Sequence, residues 1–169
     1  NRSEISAEKI FELSTDFAGL SRKEKQKMLA ENLQFSGAGL HVISMLDELA
    51  WLLNLRGSDV GYNPVFTCFG LVGENENHLF INKEKIPADL LERLVSEGVS
   101  VKPYDEFYSF LAGIEGRKIF IDPSTANFLI YRTLVGKNEI IEGTSIVSIL
   151  KSRKNKTELS GFRSAMLKD

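Results

Sequence analysis

Few side chains in the 169-residue sequence have an obvious chemical use: two histidines, one cysteine and some neighbouring acidic pairs. A metal centre needs His, Cys and carboxylate ligands that converge. His41 falls in the short run LHVIS and His78 in HLFIN, and neither has a further ligand at metal-site spacing. Both read as structural. Cys68 lies inside VFTCFGLV, where an apolar setting raises a thiol's pKa and makes it inert. Asp47-Glu48 and Asp105-Glu106 could do acid–base work only by converging. Neighbours on a helix point in different directions, and a helix's first turn favours acidic residues anyway. No glycine-rich phosphate loop is present, and the run SRKNK (152–156) reads as a solvated loop. Two converging carboxylates at strand ends, which a nuclease-like enzyme would need, are not visible.

The segment Arg56 to Pro64 (RGSDVGYNP) stands apart. It places polar groups between an amphipathic helix and an apolar strand, and loops at strand ends often carry function. Two readings stay open. In one, Arg56 and Asp59 pair across the turn and Gly57 supplies a positive φ. In the other, the segment faces a ligand.

The elements that position this segment follow from patterning. Residues 1–19 are a polar lead-in, a linker or edge segment. Ser21 with Glu24 makes a capping box that opens a helix over about 22–35, with Met28, Leu29 and Leu33 inward. LHVIS (40–44) is a strand. Ser44 is expected to cap a helix over about 45–54 that buries Leu46, Leu49, Ala50 and Leu53. Val65–Val72 is apolar on both alternating faces and so reads as a strand covered on both sides; 78–82 is its hairpin partner. Pro87 to Gly98 frames a helix with Leu90, Leu91, Leu94 and Val95 inward. Strands follow at 99–102, 118–121 and 139–142. Tyr104, Phe107, Phe110 and Leu111 mark a helix ended by Gly113. Asp122-Pro123 is expected to start another helix, running to about Leu134. Asn155 and Glu158 cap a last helix carrying Leu159, Phe162 and Met166. Alternating strands and helices with one hairpin give an α/β fold, a mixed β-sheet flanked by helices.

Composition narrows the function classes. Hydrophobic residues at 43% and charged ones at 26% fit a folded domain. A net charge of −2, from 21 basic and 23 acidic residues, argues against nucleic-acid binding. No apolar run reaches the ~18 residues of a membrane span. A single cysteine fits a reducing, cytoplasmic setting. The absent initiator Met and the open helical end suggest a piece of a longer protein.

The stretch LDELAWLLNLRGSD (46–59) followed by NPVF (63–66) closely resembles the middle, non-catalytic domain of the three-domain aminopeptidases P, the Xaa-Pro aminopeptidases. Asp16-Phe17-Ala18-Gly19 with Lys23-Glu24-Lys25, Asp122 to Thr125, and KNKTELSGFR (154–163) with Lys168-Asp169 keep the family's order. The resemblance implies a creatinase/prolidase N-terminal-domain-like fold. It divides the chain into a linker or the end of a preceding domain at 1–15, an accessory domain at 16–150 and a helix at 151–169 that connects to the catalytic domain. It also implies a parent metallopeptidase that releases the residue before proline, with a pita-bread catalytic domain. That domain holds two metal ions, usually Mn²⁺, on ligands beyond this chain, so no metal or catalytic residue is expected in 1–169. Arg56, Gly57, Asp59 and Asn63 then become candidates for the wall of the substrate cleft, with Arg56 on a peptide carbonyl or carboxylate and Asp59 orienting it. Expected partners are the catalytic domain, proline-containing peptides and, in the parent, a second copy, with no nucleic acid or membrane. A stand-alone binding module without peptidase activity is the alternative.

Overall fold

The computed structural model describes residues 8–168. Eight strands are present among them: β1 (Phe11–Glu12), β2 (Leu40–Ile43), β3 (Leu55–Arg56), β4 (Cys68–Gly73), β5 (Asn77–Ile81), β6 (Val99–Lys102), β7 (Lys118–Ile121) and β8 (Glu139–Glu142). The α-helices are α1 (Thr15–Ala18), α2 (Arg22–Phe35), α3 (Leu46–Leu52), α4 (Ala88–Ser96), α5 (Phe107–Ala112), α6 (Phe128–Leu134), α7 (Ile146–Ser152) and α8 (Lys156–Met166). Six strands form one mixed sheet in the order β6-β5-β4-β2-β7-β8; β1 and β3 make a separate antiparallel pair.

Side-chain alternation divides the core into two layers. Cys68 and Val72 of β4, Ile43 of β2 and Phe120 of β7 face one side, with Leu29, Leu33, Leu49, Leu90, Leu94 and Val147 from α2, α3, α4 and α7. Leu71, Val42, Ile119 and Ile121 face the other, under Phe107 and Leu111 of α5 and Ile130 and Leu134 of α6. Each large apolar side chain so covered contributes about 1.5–3 kcal/mol relative to exposure. Gly70 sets how closely α3 can approach. A Cβ there would sit 2.4 Å from Leu49 Cδ2, so any larger residue would have to displace the Leu49 side chain that packs on β4.

Several expectations need correction. Ser44 does not cap α3; its hydroxyl donates to the Thr125 carbonyl (2.9 Å), and Met45 is the N-cap without a side-chain bond. Asp122-Pro123 does not open α6. The Asp122 carboxylate is taken by the N–H groups of Ser124 and Ser145, and Asn127 caps the helix by accepting from Ile130 N. Val95 is exposed rather than inward, leaving Leu90 and Leu94 as the buried stripe of α4. The lead-in is an edge strand only at Phe11 and Glu12, which pair with Arg56 and Leu55; Ile10 before them is buried, and Thr15–Ala18 form the short helix α1, which the patterning does not predict. Residues 1–7 lie outside the described residues.

Candidate functional site

The turn begins at Asn54, which adopts a φ of 53°, a left-handed conformation that asparagine tolerates better than most residues. Its amide accepts from Lys25 Nζ (2.6 Å) and donates to the Leu20 carbonyl (2.8 Å). β3 then places Leu55 inward and Arg56 at the surface of a groove. Arg56 Nη1 donates to the carbonyls of Ala50 and Leu55, both at 2.8 Å. Burial pulls its pKa down and Glu158 opposes that; a guanidinium stays charged regardless.

Gly57 is required by space, not by φ. Its added Cβ would lie 2.8 Å from Phe66 Cβ and 3.2 Å from the Val65 carbonyl, whereas its φ is not in the left-handed region. The positive-φ role expected of Gly57 is therefore incorrect. Asp59 turns away from Arg56. Its carboxylate accepts from Thr67 N (2.7 Å) and forms an ion pair with Lys85. The Lys85 side chain is fully buried and that of Asp59 is 4% exposed. Burial pushes the Asp59 carboxyl up, but its bonds to Lys85 and Thr67 prevail and hold it below its ordinary value. Neither the pairing of Arg56 with Asp59 nor the orienting of one by the other survives: the two side chains bind different partners.

Backbone bonds from Gly57 N to the Pro64 carbonyl and from Asp59 N to the Val65 carbonyl close the loop, and Asn63 N bonds to the Val60 carbonyl at its tip. Asn63 is exposed. Tyr62 beside it has a φ of 62° and a fully exposed side chain. The structure thus separates the four candidates: Gly57 and Asp59 brace the loop from inside, Arg56 lines the groove, and Asn63 sits at the projecting tip.

The groove encloses about 610 Å³ between the body and α8, lined by Arg56, Lys25, Trp51, Glu158, Phe17 and Phe162 among others. Lys25 Nζ donates to the Trp51 carbonyl (2.9 Å) and lies 4.2 Å from the centre of the Trp51 ring. Burial pulls its pKa down to about 8, with Glu158 raising and Arg56 lowering it. Trp51 Nε1 donates to Glu158 Oε1 at 2.9 Å, and Glu158 Oε2 accepts from Asn155 N in the capping box of α8. The first turn of α8 is thereby tied down, while Leu159, Phe162 and Met166 remain exposed.

Comparison with known proteins gives this geometry a context. The model of the creatinase/prolidase N-terminal domain matches residues 1–158. The chain belongs to the creatinase/prolidase N-terminal domain family. It is 35% identical over 162 residues to Xaa-Pro aminopeptidase 1 of Dictyostelium discoideum, spanning 95% of this chain and 25% of that protein. A probable Xaa-Pro aminopeptidase P of Paracoccidioides brasiliensis is 36% identical over 96% of this chain and 28% of its own length. The crystal structure of the X-prolyl aminopeptidase of Caenorhabditis elegans, described as a cytosolic enzyme with a di-nuclear active site, superimposes with a TM-score of 0.88 at 29% identity. It covers 97% of this chain and 28% of that one. The chain therefore spans little more than a quarter of these relatives.

Elsewhere in this creatinase/prolidase N-terminal domain, Cys68 is buried and burial pushes its thiol up. His41 is buried between the Phe120 carbonyl and the Ser145 hydroxyl. His78 is partly buried on β5, its ring 4.9 Å from Phe110. Among the described residues no group of three His, Cys, Asp or Glu is placed to hold a metal ion, and no helix is long and apolar enough to cross a membrane. Asp47 pairs with Lys151, and the carboxyls of Glu48 and Asp122 both reach Ser145, a convergence that sequence reading missed. It also missed the buried cations Arg22, Lys25 and Lys85. A signal existed for two of them: Arg22, Lys25, Leu29 and Leu33 follow one helical stripe.

Proposed function

We propose that this domain is a non-catalytic accessory part of a metal-dependent Xaa-Pro aminopeptidase, an enzyme that releases the N-terminal residue preceding proline. The observation that carries the reading is the 0.88 TM-score over 97% of the chain against an X-prolyl aminopeptidase with a di-nuclear site. In this reading two divalent ions, Mn²⁺ as the expected metal, sit on ligands outside residues 1–169. They supply activated water and Lewis-acid stabilisation there. The body over 16–150 is the accessory unit, and 151–169 connects it to the catalytic domain. The exposed Leu159, Phe162 and Met166 of α8, with Phe17 across the groove, pack against that domain. The single cysteine and the cytosolic relative support a cytoplasmic location.

The turn over 56–64 shapes access for short peptides. Arg56 is fixed by Nη1 on two backbone carbonyls, leaving the rest of its fork for a peptide carbonyl or carboxylate. Asn63 and the turn's tip form the outer wall. Gly57 and Asp59 act through the loop's shape. In the longer protein, Arg56→Ala is expected to raise KM or lower kcat for Xaa-Pro peptides while bound metal is unchanged. An unaltered kcat/KM would remove Arg56 from the cleft.

A further inference from the structure

Glu48, Ser145 and His41 meet at a buried junction that the proposed function does not use. Their exposures are 5%, 1% and 1%. His41 comes from β2, Glu48 from the first turn of α3, and Ser145 is the N-cap of α7. His41 Nδ1 lies 3.1 Å from the Phe120 carbonyl, His41 Nε2 lies 3.1 Å from Ser145 Oγ, and Ser145 Oγ lies 2.6 Å from Glu48 Oε2.

Counting donors fixes where the protons are. A carbonyl oxygen can only accept, so Nδ1 must carry a proton. If the imidazole is neutral, Nε2 is then an acceptor and the Ser145 hydroxyl must donate to it. That hydroxyl has one proton, so the contact to Glu48 needs a donor on the carboxyl. The chain of bonds closes without a buried charge only as Glu48 O–H to Ser145 Oγ, and Ser145 O–H to His41 Nε2. If Ser145 instead donates to a Glu48 carboxylate, either the imidazole is doubly protonated and two charges are buried, or His41 Nε2 is left without a donor beside one buried carboxylate; both are costly.

We propose that these three side chains form a proton-holding latch: folding puts on Glu48 a proton that the unfolded chain keeps on His41, and the latch ties the start of α7 to α3 and β2 while Glu48 stays protonated. The charged surroundings favour this state. Burial raises Glu48, and the neighbouring carboxylates of Asp47 and Asp122 raise it further; the Ser145 bond and Lys151 oppose them. Burial pulls His41 down to about 4 against the Phe120 bond and Asp122, both of which raise it. Asp122 itself stays ionised: burial pushes it up, but its bonds to Ser124 and Ser145 hold it below its ordinary value. Because α7 leads into α8, loss of the Glu48 proton loosens the wall of the Arg56 groove.

The proton count gives the sign of the pH dependence. Between the ordinary values of 4.5 for Glu and 6.5 for His, the unfolded pair holds one proton, on His41. The folded pair also holds one, on Glu48, so this pair adds no slope. Above 6.5 the unfolded pair holds none while the folded pair still holds one. The folding constant then falls by up to about tenfold per pH unit until Glu48 ionises in the folded state.

The test is urea unfolding of the 169-residue chain from pH 5 to 9, beside Glu48→Gln, with NMR of the His41 imidazole nitrogens and the Glu48 carboxyl carbon. Glutamine keeps a donor for Ser145 Oγ and has no proton to lose. The wild-type chain is expected to lose stability relative to Glu48→Gln above pH 6.5. Below it, Glu48→Gln loses up to about tenfold per unit relative to wild type, because its unfolded state alone takes up the His41 proton. NMR is expected to report an Nδ1–H tautomer and a protonated carboxyl at pH 7. Parallel pH profiles, an Nε2–H or doubly protonated His41, or an ionised Glu48 at pH 7 would overturn the latch. Should Glu48→Gln fail to fold, the wild-type NMR spectra alone decide.

Discussion

Replacing Lys85 with methionine should be among the most damaging single changes in this domain that leave its apolar core intact. Lys85 is fully buried and neutralises Asp59, whose side chain is 4% exposed. Methionine fills nearly the same volume, so the loss isolates the charge. Removing one member of a buried pair costs about 3–5 kcal/mol, because the other charge is left desolvated. Asp59 retains the Thr67 N–H at 2.7 Å, which places the expected loss near the lower end, about 3 kcal/mol. For a chain of this size that lowers Tm by about 6–12 °C, at about 2–4 °C per kcal/mol. It also removes a large share of a typical total of about 5–15 kcal/mol. Urea unfolding followed by Trp51 fluorescence reads it, with Asp59→Asn and the double variant alongside. Asp59→Asn keeps an oxygen for Thr67 and strands the lysine instead. The double variant should lose at least about 1 kcal/mol less than the sum of the singles, as contacting pairs do. A Lys85→Met cost under about 1 kcal/mol, the range of solvated surface pairs, or strict additivity, would refute the view that this pair braces the turn over 56–64.

Two further outcomes follow from the same region. Gly57→Ala drives a methyl against Phe66 Cβ at 2.8 Å and the Val65 carbonyl, so chemical denaturation should report a loss of about 1–3 kcal/mol; a neutral result would mean the loop yields freely. Glu158→Ala removes both the Trp51 Nε1 bond and half of the α8 capping box. Amide exchange over 156–168 should then quicken by about 5–30-fold, the equivalent of one or two kcal/mol, with β4 unchanged. Uniformly slow exchange through α8 in the wild-type monomer would contradict a helix held only by its first turn.

Local signals located most elements because their causes are local. The capping boxes at Ser21/Glu24 and Asn155/Glu158 start α2 and α8 where the spacing places them. Two-sided apolarity marked β4, and the alternation around it gave the sheet. Ser44 and Asp122 misled because neither spends its cap chemistry on the helix expected to follow: Ser44 bonds a distant segment, and Asp122 divides its carboxylate between a local turn at Ser124 and a distant N–H. Ser44 reaches the carbonyl of Thr125, and Asp122 reaches the N–H of Ser145. The turn over 56–64 was legible as unusual, yet its internal bonding was not, because the partner of Asp59 is Lys85, 26 residues away. The Glu48–Ser145–His41 junction joins residues about a hundred positions apart and left no trace in sequence spacing.

We infer that this domain supports peptide hydrolysis without performing it. The most direct measurement is Xaa-Pro peptide hydrolysis with added Mn²⁺, by the longer protein and by the 169-residue chain side by side. Turnover is expected from the longer protein and none from the chain alone. Chelator-sensitive turnover by the purified chain, or an inactive longer protein that binds its metal, would contradict it.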